Sequence, residues 1–149
     1  MSQRLSVHDV DPSANEAVLG LERYVRSSGL EGPLLELIKV RSSQLNGCAF
    51  CLDMHLRDAR AAGEDQRRLD VVSAWREAPQ LYSARERAAL ALTEAVTLIS
   101  REGVPDDVWA ETQAHFEDRE TVQLLMAIAT INVWNRLAVS TRQALPDQA

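Results

Sequence analysis

Residues Glu36 to His55, ELIKVRSSQLNGCAFCLDMH, hold both cysteines of the chain, Cys48 and Cys51, and an imidazole four positions after the second. The stretch reads as two helices meeting at Asn46-Gly47, the residue pair most tolerant of positive φ. On a helix that turns about 100° per residue, Cys48, Cys51 and His55 fall within about 60° of one another, so all three share one small volume. So short a link favours an antiparallel or steeply angled pair. At about 1.5 Å per residue, Glu36 lies about 15 Å before Asn46 and His55 about 12 Å after Gly47. A helical hairpin therefore sets Glu36 nearly level with His55, and a carboxylate joins the imidazole and the two thiols.

Outward from that hairpin the chain keeps a helical period. Residues 1–10 show no clear pattern and read as an extended or mobile arm. Asp11-Pro12 is an N-cap followed by a first-turn proline, and Ala17, Val18, Leu21, Tyr24 and Val25 recur at helical spacing up to Gly29, which suits a left-handed cap. Downstream, Leu69, Val71, Val72 and Trp75 make a shorter helix ended by Pro79. Ser83 with Glu86 is a capping box that opens a long helix through Ala88, Ala89, Leu92, Ala95, Val96 and Ile99 to a break at Gly103-Val104-Pro105. A short helix follows around Asp106 to Phe116. The last runs from about Asp118 to Arg142, with Val122, Leu125, Met126, Ala129, Val133 and Leu137 on one apolar stripe. No segment carries a strand pattern, so the expectation is one all-α domain of six or seven helices over residues 11–143, with a frayed tail at 144–149.

The composition limits the function. With 149 residues, 46% hydrophobic and 26% charged, the chain is long enough for one core and too apolar for disorder. A formal charge of -6 argues against nucleic acid and anionic membranes as partners, because such binding depends on Lys and Arg. The first ten residues lack a secretory apolar run, and Leu124 to Ile131, the longest apolar run, is too short to span a bilayer, so a cytoplasmic address is expected. There a C-x-x-C is more often catalytic or metal-binding than a fixed staple. Without a βαβ context it does not read as thioredoxin-like.

Glu36, Cys48, Cys51 and His55 reproduce the E-x11-C-x-x-C-x3-H signature of the AhpD-like alkylhydroperoxidases, within the carboxymuconolactone decarboxylase superfamily. The chain resembles that family from about Leu19 to Val139, through QLNGCAFCLDMHLRDARAAGE, LDVVSAWREAP, RERAALALTEAVT and ATINVWNRLAV. The resemblance implies an AhpD-like helical bundle, with the C-x-x-C at the start of a helix, that assembles as a trimer or hexamer. It implies a thiol-dependent peroxidase that reduces alkyl or hydrogen peroxide without cofactor or metal. Cys51 is then the peroxidatic thiol, Cys48 the resolving thiol, His55 the base on Cys51, and Glu36 the acid that orients and recharges His55. A dihydrolipoyl or thioredoxin-like dithiol would reset the disulfide. The chemistry agrees, since a thiol reacts as thiolate and a helix N-terminus and an imidazole both promote ionisation. Cys51 is nearer His55 in sequence, so it is expected to be the more activated thiol.

Other readings compete with this one. The cysteines could be two small buried hydrophobes, or with His55 and Glu36 they could hold structural zinc, although no second C-x-x-C or H-x-x-H exists. Decarboxylation of a carboxylated muconolactone, the activity that named the superfamily, does not use the dithiol. A redox-responsive interaction protein would need oxidation but no efficient turnover. Asn132, Trp134, Asn135 and Arg136 form a polar-aromatic cluster on the last helix that could reach the site, perhaps across subunits. Trp75 and Trp109 are expected to pack, His8 and His115 carry no role, and Asp53 with Arg57 reads as a surface pair.

Overall fold

The computed structural model describes residues 1–146, so positions 147–149 of the expected frayed tail lie outside the described residues. In chain order the helices are α1 (Val7–Val10), α2 (Pro12–Ser27), α3 (Gly32–Asn46), α4 (Ala49–Ala61), α5 (Gln66–Val71), α6 (Ala84–Thr97), α7 (Ile99–Glu102), α8 (Asp106–His115) and α9 (Asp118–Thr141). Two short 3-10 turns, Val72–Glu77 and Pro79–Leu81, join α5 to α6. The protein is all-α, with no strand among the described residues.

The count exceeds the six or seven helices expected, for local reasons. Ser6 accepts from the Asp9 N–H and caps one turn inside the arm, which is therefore not extended throughout. The Arg4 N–H donates to Thr141 O at 2.8 Å and its guanidinium to Ser140 O at 3.0 Å, tying the arm to the end of α9. The long helix after Ser83 breaks earlier than Gly103: Leu98 sits at φ -101°, ψ 31° and separates α6 from α7, leaving Ile99 exposed. The helix expected through Trp75 loosens at Ala74 (φ -119°, ψ 30°) into 3-10 turns.

The centre of the bundle is α3, which packs against α4, α6 and α9. Its Leu37, Ile38 and Val40 are completely buried, each burial stabilising by about 1.5–3 kcal/mol relative to exposure. One side of α3 meets α2, α6 and α9 through Val25, Leu34, Leu35, Ala89, Leu92, Leu124 and Ile128. Its other side, with Leu37 and Val40, meets Val72, Trp75, Tyr82 and Leu90. The helix ends as the sequence indicates. Gly47 adopts φ 63°, ψ 34°, its N–H returns to Gln44 O, and the Cys48 N–H returns to Ser43 O at 3.0 Å. A residue with a Cβ is strained in that conformation, so the sharp turn that delivers the thiols depends on glycine.

The face that α9 buries differs from the expected stripe. Val122 and Ala129 are exposed, whereas Leu124, Ala127, Ile128, Ile131, Asn135 and Ala138 face the core. Apolar residues occur all round this helix, so periodicity alone could not choose its inner side, and the amides that settle it are polar. By length and hydropathy α9 also meets the requirement for a membrane span, yet here it packs against α2, α3 and α6.

Candidate active site

Cys48 is the N-cap of α4 rather than its first helical residue. Its sulfur accepts the Cys51 N–H at 3.3 Å, which satisfies one of the orphan donors of the helix end. The two sulfurs lie 2.6 Å apart, both cysteines are free, and both are buried. The pair can share a proton and close to a disulfide without moving the helix.

Acidity in the pair runs opposite to the expectation from sequence. The Cys51 thiol donates to Cys48 and, against the cost of burial, the Cys48 thiol falls from an ordinary 9.0 to about 7; the backbone N–H groups of Cys51 and Phe50 and the Asn135 amide act in the same direction. Cys51 is pushed up, first because it is the donor to Cys48, then by burial and by the charge on its neighbour. Of the two thiols, Cys48 is the more acidic. Spacing to His55 favoured Cys51, but the amide groups of the helix end act on the cap residue, and the cap is Cys48.

Glu36 and His55 meet as the hairpin geometry requires, with Oε2 and Nδ1 3.2 Å apart. A carboxylate can only accept, so an ionised Glu36 makes Nδ1 the donor and leaves the Nε2 lone pair free. His55 is 5% exposed, and Cys51, His55 and Glu36 line one cleft of about 810 Å³ together with Phe50, Met54 and Trp134. Cys48 lies behind that wall. Cys51 thus borders the cleft, while the more acidic Cys48 backs it. A buried ion pair, Lys39 to Glu22 at 2.6 Å, forms another part of the wall.

The polar cluster of α9 reaches the thiols from within the same chain. Asn135 is fully buried, accepts from Asn46 Nδ2 at 2.8 Å and donates to Ser43 Oγ at 3.0 Å. Asn132 accepts from Asn46 and from Arg136 and donates to Thr97 Oγ1. Trp134 packs on the cysteines with Ile131 and Ala138. Sequence reasoning noticed this cluster without placing it. The usable signal was two amides, at i and i+3, on a helix otherwise apolar enough to be core, because buried amides must find partners.

Of the residues given no role, His8 borders the Cys51 cleft and the others lie away from it. Asp53 and Arg57 pair at 2.5 Å on the surface, His115 pairs with Glu111, His8 is exposed, and the Trp75 indole donates to Glu94. Trp109 is exposed on the single chain and so does not pack its core. No group of three or more His, Cys, Asp and Glu side chains forms a ligand set for a metal among the described residues.

Comparison with known proteins gives one family and several relatives. The profile of the Carboxymuconolactone decarboxylase family matches residues 12–95. The chain is 41% identical to the uncharacterized protein YdfG of Bacillus subtilis (strain 168) over 140 residues, covering 94% of this chain and 95% of that one. A crystal structure of an Agrobacterium tumefaciens protein of unknown function, ATU0492, whose name suggests the antioxidant defence protein AhpD, superposes with a TM-score of 0.95 at 44% identity, over 99% of this chain and 100% of the other. The apo debrominase Bmp8 shares the fold alone, at 19% identity and a TM-score of 0.82, over 93% of this chain and 74% of that one.

Proposed function

The chain belongs to the carboxymuconolactone decarboxylase family, and we propose that within it the protein is a thiol-dependent peroxidase of the AhpD-like type, cycling Cys51 and Cys48 between dithiol and disulfide. Family membership supports a peroxidase-like or a decarboxylase-like role. The observation that favours the first is the buried thiol pair, 2.6 Å between sulfurs, with Cys51 opening on a cleft that also holds the His55–Glu36 pair. Lactone decarboxylation has no use for that pair.

In the proposed cycle the Cys51 proton passes to His55 Nε2, and Glu36 steadies the imidazolium through Nδ1–H. The Cys51 thiolate attacks one oxygen of a hydroperoxide, forming an S–O bond as the O–O bond breaks. The departing alkoxide takes the proton from His55, so an alcohol leaves and Cys51 becomes a sulfenic acid. Cys48, the more acidic thiol, attacks that sulfur as thiolate, and hydroxide leaves as water with a proton from solvent. The peroxide has been reduced by two electrons and the dithiol oxidised to a disulfide. An external dithiol, of dihydrolipoyl or thioredoxin-like class, returns those electrons. The placement supports a division of labour: Cys51 lines the cleft and attacks, and Cys48 behind it resolves.

A cytoplasmic address and assembly as a homo-oligomer, a trimer or hexamer, complete the proposal. Apolar Val122, Val139 and Trp109 on the surface are compatible with burial between subunits.

The test is intact mass and free-thiol count of the reduced, chelator-treated protein before and after one equivalent of organic hydroperoxide, followed by dithiol and continued peroxide assay. Loss of both thiols and two hydrogens, reversed by dithiol with sustained peroxide consumption, is the expected result. Unreactive thiols together with turnover of a carboxylated lactone would replace the proposal by the decarboxylase. One slow oxidation without turnover would replace it by the sensor.

A further inference from the structure

The cycle above uses Cys51, His55 and Glu36 on the cleft wall and leaves one buried charge there without a task. Lys39 is 4% exposed and borders the same cleft, three residues and so about one helical turn after Glu36 on α3. Its Nζ donates to Glu22 Oε1 at 2.6 Å, the one hydrogen bond it makes among the described residues, whereas an ammonium carries three protons. Arg26 reaches the same oxygen through Nε at 3.4 Å from the exposed rim. Burial pushes the Glu22 carboxyl up, but Lys39 and Arg26 outweigh it and hold that carboxyl below its usual range. One ionised carboxylate thus faces two cations, and the trio keeps a net positive charge at the cleft. The other carboxylates of the cleft are Glu36, bonded to His55, and Asp58, exposed on α4. The α2–α3 side is therefore the one that suits an anion. Much of the remaining wall is apolar, from Leu19, Leu35, Phe50, Met54, Trp134 and Leu137. Hydrogen peroxide, about the size of two waters at ~30 Å³ each, would leave most of the 810 Å³ unfilled.

We propose that Lys39 is a substrate-binding residue that receives a carboxylate on the organic part of the hydroperoxide, so that the cleft takes a long-chain, carboxylated organic hydroperoxide. This rests on the thiol-peroxidase reading and names the substrate class of that same site. The carboxylate accepts the ammonium protons that Glu22 leaves free, the apolar chain lies along the apolar wall, and the O–O group is carried to Cys51. Lys39 exchanges neither proton nor electron; the S–O and S–S bonds form as described. Glu22 partners the ammonium while the cleft is empty, so the buried cation is never left alone. A pair that only joined α2 to α3 would contribute little, because the desolvation of two buried charges offsets their attraction. Its place on the cleft wall is what a binding role explains.

The experiment compares wild type with Lys39→Met, which keeps a long side chain and loses the charge, and with Glu22→Gln, which removes the competing anion and leaves the cation. The reactive probes are a long-chain fatty-acid hydroperoxide and its methyl ester, read as the rate of disulfide formation in the reduced protein. The unreactive probes are the matching hydroxy acid and hydroxy ester, read as Kd by calorimetry. Wild type should prefer acid to ester about tenfold in both readouts, the factor that one charge-assisted hydrogen bond supplies. Lys39→Met should reduce that preference to under about twofold, and Glu22→Gln should raise it to about thirtyfold. Equal treatment of acid and ester by wild type, a preference that Lys39→Met leaves intact, or no binding of either probe would overturn the role. So would a preference that falls in both variants, the behaviour of a pair that only joins helices. If circular dichroism shows Lys39→Met unfolded, Glu22→Gln decides, and a preference no larger than in wild type overturns the role. Hydroxy acid bound with the expected preference, in protein whose thiols no hydroperoxide oxidises, would uphold the carboxylate site and sink the peroxidase.

Discussion

The two ends of α6 meet polar regions built on different principles. At its N-terminal end, charges are fixed in pairs. Arg68 joins Glu64 at 2.9 Å and Glu86 at 2.5 Å, and Arg85 joins Glu120 at 2.7 Å and Glu31 at 3.0 Å while stacking over the Phe116 ring. Towards its C-terminal end Glu94 still pairs with Arg41 and Arg76, but Thr97 enters the network of Ser42, Asn132, Asn46 and Asn135 behind the thiols, which apart from Arg136 is made of hydroxyls and amides. Ion pairs hold loops and helix ends where no charge changes. On the thiol side the partners are mostly neutral, where the proposed cycle would make charge appear and vanish. Scaffold and site should therefore fail separately under mutation.

The largest test of that separation is Cys51→Ser, which should lower dithiol-driven peroxide turnover by at least about 10³-fold while changing stability by under about 1 kcal/mol. Coupled peroxide assay and thermal melts read the two quantities, and a large fall in melting temperature would blur the division. The reverse case is Arg85→Ala. It removes the pairs to Glu120 and Glu31, a bond to His115 O and the ring stacking, and should destabilise by about 2–3 kcal/mol, a fall in Tm of several degrees. Its thiolate titration should match wild type; a shifted midpoint would show that the scaffold tunes the thiols.

Stability against pH sharpens the comparison further. Cys48 has its ordinary 9.0 lowered to about 7 in the fold, so its contribution is present above 9.0 and is lost as pH falls through about 7. Cys51 is raised and acts in the opposite sense, its contribution being lost as pH rises above its ordinary value. Reduced protein should gain Tm between neutral pH and about 9 through Cys48, and Cys48→Ser should lack that gain. An identical pH profile in the variant would remove the thiolate from the account. The smallest effect belongs to Arg57→Ala. Its partner Asp53 is exposed, so urea denaturation should shift by no more than about 0.5 kcal/mol, with turnover unchanged.

Much of this arrangement is legible in the sequence, and what is not has a physical reason. Asn46-Gly47 gave away the turn, and helical rise placed Glu36 against His55, because both depend on local geometry. The caps at Asp11 and Ser83 are local too, and they form as read. The inner face of α9 was missed because Val122 and Ala129 are as apolar as the residues that are buried, so only tertiary packing distinguishes them. Cys48 was underrated for a related reason. Its acidity comes first from the Cys51 thiol and then from amide groups at the helix end, which spacing to His55 does not include. The arm before the Ser6 cap is held at Arg4 by bonds to Thr141 and Ser140, partners that no local pattern reveals.

The cap at Cys48 has one more consequence, for the direction in which electrons flow. Hydrogen bonds that stabilise its thiolate stabilise the reduced protein and have no counterpart once the sulfur is tied in a disulfide. The reduction potential of the pair therefore rises, as it does wherever a helix end lowers one thiol of a C-x-x-C. A disulfide poised this way accepts electrons readily from an ordinary dithiol. The turn that exposes the sulfurs to helix amides thus also sets how easily the protein is recharged.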